Sequence, residues 1–182
     1  IIVAGGNVNP DSIIYSTDFG ETWNSVAGSG SIFSTWCYTI GYNGSIWVAG
    51  GRGTNTVAYS YDGINWVAGG NPFSHSVRVV KYNSYVGQWI LGGQGGDDIA
   101  YSYDGINWLS KPITGVSSIR GYAFNENRHV IATTGTNTVL YSDDLNNWNV
   151  VDTGSFFQQA RDVIWTGRRW ILSGAIGSGT LI

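Results

Sequence analysis

The chain is short of the residues that most enzymes and charged-ligand binders draw on. It has a single cysteine, Cys37, so no disulfide forms within it and the redox compartment is left open. Two histidines, His75 and His129, and that one cysteine make no metal-ligand spacing, and neither a metal nor a cofactor is expected. Only two glutamates are present, Glu21 and Glu126. Charged residues are 12% of the chain and the net charge is −3, so no basic field exists to hold nucleic acid or an anionic membrane. No apolar run approaches the roughly 20 residues that span a bilayer. No stretch repeats its apolar residues at a helical period, so no long helix is expected. Methionine is absent and the chain starts at Ile1, which is the pattern expected of a processed or trimmed product.

What is plentiful points one way. There are 27 glycines, 9 tryptophans and 11 tyrosines among 182 residues. Low charge with many aromatics is the reverse of a disordered composition. Glycine for tight turns and aromatics for packing suit an all-β protein.

The order of those residues shows a repeat. An apolar strand ending in small residues recurs as Ile2-Val-Ala-Gly-Gly6, Trp47-Val-Ala-Gly-Gly51, Trp89-Ile-Leu-Gly-Gly93, His129-Val-Ile-Ala-Thr133 and Trp170-Ile-Leu-Ser-Gly174. A second pattern, Tyr-Ser then Asp then Trp, runs from Tyr15 to Trp23, Tyr59 to Trp66, Tyr101 to Trp108 and Tyr141 to Trp148. Its tryptophans stand 43, 42 and 40 residues apart. Turn residues divide each repeat into four short strands, A to D in chain order. Four strands in about 42 residues is the period of a propeller blade. The expected fold is therefore all-β: a β-propeller of four-stranded antiparallel blades, one domain over residues 1–182, with Trp and Tyr wedged between blades.

An offset of 168 residues lays Ile2 on Trp170, Gly6 on Gly174 and Ile13-Ile14 on Leu181-Ile182 without a gap. That makes four repeats plus a 14-residue overlap, or three complete blades and two partial ones. Two explanations stand. The chain is a segment of a longer tandem array, or it closes on itself or on another copy with the duplicated strands as a clasp. Unpaired edge strands favour some closure or exchange, so self-association through the incomplete terminal blades is an expectation.

Ser16-Thr-Asp18-Phe-Gly20-Glu-Thr22-Trp23 fits Ser-x-Asp-x-Gly-x-Thr-Trp position by position. Shorter versions are Ser60-Tyr-Asp62-Gly63-Ile-Asn-Trp66, Ser102-Tyr-Asp104-Gly105-Ile-Asn-Trp108 and Ser142-Asp-Asp144-Leu145-Asn-Asn-Trp148. Four such turns in phase with the repeat resemble the Asp-box, the bacterial-neuraminidase-type repeat of sialidase-like propellers. The closest likeness is to the many-repeat versions in bacterial surface proteins and large DNA viruses. The resemblance implies that Asp18, Asp62, Asp104 and Asp144 are structural: each carboxylate accepts backbone N–H bonds of its own turn at the outer margin. Gly63 and Gly105 supply positive φ at little cost, and in the fourth copy, where Leu145 stands, Asn146 is expected to take that conformation.

Aligning strand A on its late aromatic (Tyr42, Tyr82, Phe124, Trp165) places Tyr38, Arg78, Arg120 and Arg161 four positions earlier. Strand A is the innermost strand of a blade, so three of the seven arginines form a partial ring at one mouth of the central channel. Loops with Phe73, Ser74, His75, Phe156, Phe157, Gln158 and Gln159 share that mouth, with Arg52, Asn55, Asp97 and Asp98. One reading is an arginine copied with the repeat and bonded to carbonyls or to Asp162, Asp97 or Asp98. The other is a site for carboxylate or phosphate, since clustered guanidiniums repel one another unless an anion or acid neutralises them.

A sialidase-type mechanism needs a tyrosine nucleophile activated by a glutamate, and an acid/base aspartate. By strand count Glu21 and Glu126 fall at the end opposite the arginines, and the Arg-Ile-Pro motif of sialidases is missing. The Gly-Gly pairs end strands and fit no nucleotide fingerprint. The expectation is a non-enzymatic scaffold or recognition module for a glycan or protein ligand at the arginine end. The alternatives are a purely structural repeat protein or assembly component, and a degenerate sialidase-like glycosidase.

Overall fold

The computed structural model describes residues 1–95, 99–154 and 156–176. The described residues form five antiparallel sheets in sequence order. The first holds β1 (Ile2–Gly5), β2 (Ile13–Ser16) and β3 (Asn24–Ser25). A single helical turn, α1 (Ser29–Ile32), follows, because the buried Ser29 hydroxyl accepts the Ser12 and Ile13 N–H groups and ties the turn to β2. The second sheet is β4 (Trp36–Tyr42), β5 (Trp47–Arg52), β6 (Val57–Ser60) and β7 (Val67–Ala68). The third is β8 (Ser76–Asn83), β9 (Gln88–Gln94), β10 (Ile99–Ser102) and β11 (Leu109–Lys111). The fourth is β12 (Val116–Phe124), β13 (His129–Gly135), β14 (Val139–Ser142) and β15 (Asn149–Val150). The last sheet pairs β16 (Phe157–Trp165) with β17 (Trp170–Ile176). The A-strand expected in each later repeat and the B-strand in all five are present; Leu181-Ile182, expected to begin another strand, lie outside the described residues.

The core lies between sheets rather than within one. Val48 and Val57 of the second sheet pack with Val77, Val80, Trp89 and Leu91 of the third. Ile90, Ile99 and Tyr101 of the third pack with Ile119, Tyr122, Ile131 and Leu140 of the fourth. The fit is tight at the glycines that end the B strands. A Cβ at Gly92 would stand 2.5 Å from Cγ2 of Ile119 on the next sheet, and one at Gly50 would collide with Val77. Glycine is needed there to let the neighbouring inner strand approach. The first strands of successive sheets lie side by side, β4 by β8, β8 by β12 and β12 by β16.

His129, which stands where other repeats carry Trp, is a packed core residue. Its Nδ1 lies 2.8 Å from the Tyr122 hydroxyl and 3.3 Å from Asn83 Nδ2, and burial lowers its pKa. Phe73 departs from the sequence expectation. It does not line an open loop surface but is buried against Gly93 and the Val57–Leu91 cluster, because the loop before β8 folds back over the sheet.

Candidate functional site

The four residues singled out on the inner strands share one backbone feature. Where β4 pairs with β5 the register shifts between Cys37 and Thr39, so Tyr38 is the odd residue. The same shift falls between Val77 and Val79, Ile119 and Gly121, and Ala160 and Asp162, leaving Arg78, Arg120 and Arg161 as the extra residues. A bulge turns its extra residue away from the regular alternation of the strand. Tyr38, Arg78, Arg120 and Arg161 are thus four equivalent side chains released from four ladders.

The strand registers fix which end they occupy. Arg78 sits between partners of Gly93 and Gly92, and Gly92 in turn faces Ile99 at the start of β10. The Asp turns follow Ser102 and its equivalents, at the other end of those strands, where Ser102 pairs with Trp89 and Trp89 with Tyr82. Glu21 lies within the first Asp turn and Glu126 in the β12–β13 connection, so both glutamates are at the end away from the arginines.

Within the cluster, the Arg78 guanidinium carbon lies 4.6 Å from the centroid of the Tyr38 ring. Trp36, half exposed, stacks on the same tyrosine at 6.0 Å and 7° from parallel. Burial, and next the charges of Arg78 and Arg161, hold the Arg120 guanidinium below its usual pKa, while Tyr38 acts in the opposite sense. Three cations therefore feel one another. The Nε atoms of Arg78 and Arg120 are buried without a hydrogen-bond partner among the described residues, as are the hydroxyls of Ser76 and Ser118 two residues before them. Asp162, one expected partner, spends a carboxylate oxygen on its own neighbour's Val163 N–H at 2.9 Å. Among the described residues the one ion pair is Arg128–Asp143, outside the cluster; Asp97 and Asp98 lie outside the described residues. Sequence reasoning missed Trp36, Ser76 and Ser118. The signal was present, since all three stand two positions before an aligned cluster residue.

The aspartate turns have the expected geometry. The Asp104 carboxylate accepts the N–H groups of Ile106 and Asn107, each at 2.8 Å, and the Asn107 side-chain amide at 2.7 Å. Asp62 and Asp144 repeat this set with Ile64, Asn65 and Asn146, Asn147. Backbone N–H bonds from Asn65, Asn107 and Asn147 are the leading cause that holds Asp62, Asp104 and Asp144 far below the usual carboxylate range. Asp18, in the longer first turn, is lowered to about 2 mainly by the Thr22 hydroxyl. Each turn is closed by its serine, whose hydroxyl donates to the aspartate, as Ser102 does at 2.8 Å. One expectation fails: Leu145 itself adopts φ 62°, and Asn146 does not take over the left-handed conformation. Leu145 is held there because its side chain is buried in the core and its carbonyl accepts the Tyr101 hydroxyl at 2.8 Å.

Comparison with solved structures fixes the fold. The chain is similar to a chain in the crystal structure of a nidogen/laminin complex, with a TM-score of 0.69 and 13% sequence identity. The fold is an all-β propeller of four-stranded antiparallel blades. The match covers 89% of this chain and 63% of that one, so this propeller spans less than two thirds of its neighbour's length. The Niastella koreensis GH74 enzyme also matches, with a TM-score of 0.39, 16% identity, and 85% of this chain against 31% of that one. No protein-family model and no curated protein sequence matches the propeller.

Proposed function

We propose that this propeller is a non-enzymatic recognition module that takes an anionic group of a glycan or protein ligand at Arg78, Arg120 and Arg161, beside Tyr38. The observation that carries the reading is the pair of buried Nε donors on Arg78 and Arg120 that no group among the described residues accepts. An unpaired buried donor is costly, and a cation more so, unless a ligand supplies the acceptor. Carboxylate and phosphate suit guanidinium because they accept two N–H bonds at once. The neighbouring Tyr38 and Trp36 rings offer the flat apolar surface on which a sugar or an aromatic side chain rests. The nidogen/laminin neighbour is a propeller from a protein–protein complex, which lends weak support to a binding role.

The four aspartate turns, with their shared serine and tryptophan, support placing the propeller among Asp-box repeats of the sialidase-like type. Catalysis is a poorer reading, since both glutamates lie at the far end. The test is a glycan array that carries matched acidic and neutral sugars, read for the wild type and for Arg78→Ala and Arg120→Ala. Binding confined to acidic sugars and lost in both variants is the expected outcome. Equal binding of neutral sugars, or binding that survives both substitutions, removes the arginines from the site. Release of the aglycone from an aryl sialoside by the wild type would restore an enzymatic function.

A further inference from the structure

A pocket separate from the arginine cluster lies between the third and fourth sheets, at the end where the aspartate turns stand. Its volume is about 590 Å³, and its lining includes Val86, Tyr101, Tyr103, Leu109, Lys111 and His129. That is within the range of small-molecule sites, roughly 300–1,000 Å³. The pocket opens where one repeat departs from its neighbours. In the third sheet Trp89 holds the position equivalent to His129. Its indole is fully buried, and a Cβ on Gly105 of the adjoining turn would stand 3.1 Å from its Nε1. The imidazole of His129 lacks the six-membered ring of an indole. Leu145, in place of the turn glycine, is buried in the core cluster with Ile131 and does not close the gap.

The bonds around His129 settle where its proton sits. Asn83 Oδ1 accepts the Tyr85 N–H, which orients the amide so that its Nδ2 faces His129 Nδ1 at 3.3 Å. An amide nitrogen only donates, so Nδ1 is an acceptor and the uncharged ring carries its proton on Nε2. Burial favours that uncharged ring, against the pull of Asp143 and Asp144. Most other polar groups of the wall are already spent. Asp143 gives both oxygens to Arg128, and Asp144 accepts from Ser142, Asn146 and Asn147. The Asn107 amide donates to Asp104, Lys111 to Asn146 Oδ1 at 2.6 Å, and the Tyr101 hydroxyl to the Leu145 carbonyl. The apolar part of the wall is open: Tyr103 is 77% and Leu109 65% exposed.

We propose that this pocket is a second ligand site, for an uncharged aromatic small molecule that rests on Tyr103 and Leu109 and accepts the His129 Nε2–H. The lining decides the class. A sugar carries a hydroxyl on most ring carbons, and a wall whose carboxylates and amides are already bonded would leave those hydroxyls unmatched. A flat ring with one or two polar atoms needs only a few partners and gains from the tyrosine faces. The charges on the wall are held in the Arg128–Asp143 pair, the Asp144 turn and the Lys111–Asn146 bond, so a charged ligand has no counter-ion waiting for it.

The probe is 2-naphthamide, a fused aromatic ring with a carbonyl acceptor, titrated into the 182-residue chain by calorimetry and by proton NMR of the histidine ring. Saturable binding that shifts the His129 resonances is expected, with 2-naphthoate weaker and methyl glucoside without effect. His129→Trp puts back the residue of the neighbouring repeats, fills the pocket and should abolish binding. Tyr103→Ala alters an exposed ring, leaves the fold as it is and should weaken binding about two- to tenfold. Arg78→Ala with Arg120→Ala should change nothing, because those residues stand at the other end of the strands. No binding of 2-naphthamide to the wild type overturns the proposal, and that result depends on no variant folding. So does binding that leaves the His129 resonances unmoved, survives Tyr103→Ala at full strength, or is matched by the glucoside or the naphthoate. None of these failures touches the arginine site, whose probes are phosphate and acidic sugars.

Discussion

The Arg78 guanidinium rests on the Tyr38 ring at 4.6 Å, and each of the two residues is the unpaired member of a bulge on neighbouring inner strands. The tyrosine holds one arginine of the cluster in place without neutralising it. A guanidinium over an aromatic face contributes about 0.5–1 kcal/mol at a partly exposed site. Tyr38→Ala should therefore weaken an acidic ligand about two- to five-fold, while Tyr38→Phe keeps the ring and stays near wild type. Calorimetric titration with inorganic phosphate as the probe measures both. A Tyr38→Phe loss as large as that of Tyr38→Ala would show that the hydroxyl, not the ring, matters.

Burial first, and then its like-charged neighbours Arg78 and Arg161, disfavour the Arg120 cation. Arg120→Gln should raise the melting temperature of the ligand-free protein by about 1–3 °C, and that gain should shrink in high salt as the repulsion is screened. The same substitution should abolish the stabilisation that phosphate gives the wild type, about 2.7 kcal/mol at a hundredfold excess over Kd. Thermal melts at matched ionic strength, phosphate against chloride, read both effects. A lower melting point for the ligand-free variant would mean that an acid of the protein already pairs with Arg120.

The aspartate turns make the fold sensitive to acid. Hydrogen bonds within the turns hold their folded carboxylates below the usual carboxylate range, Asp18 at about 2 and Asp62, Asp104 and Asp144 far down as well. A depressed folded value gives stability that is present above the unfolded pKa and is lost as pH falls through the folded one. Stability should therefore hold down to about pH 4 and fall steadily from there past pH 2. Asp104→Ala should cost roughly 1–3 kcal/mol at neutral pH, the worth of hydrogen bonds to a charged group. It should also flatten the acid limb of the curve. Urea unfolding between pH 2 and 7 gives both numbers, and an acid limb unchanged in the variant would assign the acid sensitivity elsewhere.

Gly92 tests the packing between blades. A Cβ there meets Cβ and Cγ2 of Ile119 at 2.8 and 2.5 Å, so Gly92→Ala should destabilise by about 1–3 kcal/mol. Ile119→Ala empties that space and should cost about 2–5 kcal/mol alone. The double variant should cost less than the sum, because one change makes room for the other. Strict additivity in chemical unfolding would mean that the two sheets are not in contact at this point.

The one-dimensional pattern determined most of the architecture. Tandem B strands and aspartate turns at a spacing of about 42 residues dictate blades, and the alignment of Tyr38, Arg78, Arg120 and Arg161 put four equivalent positions on inner strands. Those features are local: period-two alternation, turn chemistry and repeat phase are all carried by residues close in the chain. What only the tertiary structure decided is non-local. The bulges that free the four side chains depend on pairing with the next strand, which no spacing within strand A reveals. The unpaired Nε atoms of Arg78 and Arg120, the burial of Phe73 and the left-handed Leu145 depend on which sheet packs over them. A side chain's partners come from burial between sheets, and burial is a property of the assembled fold.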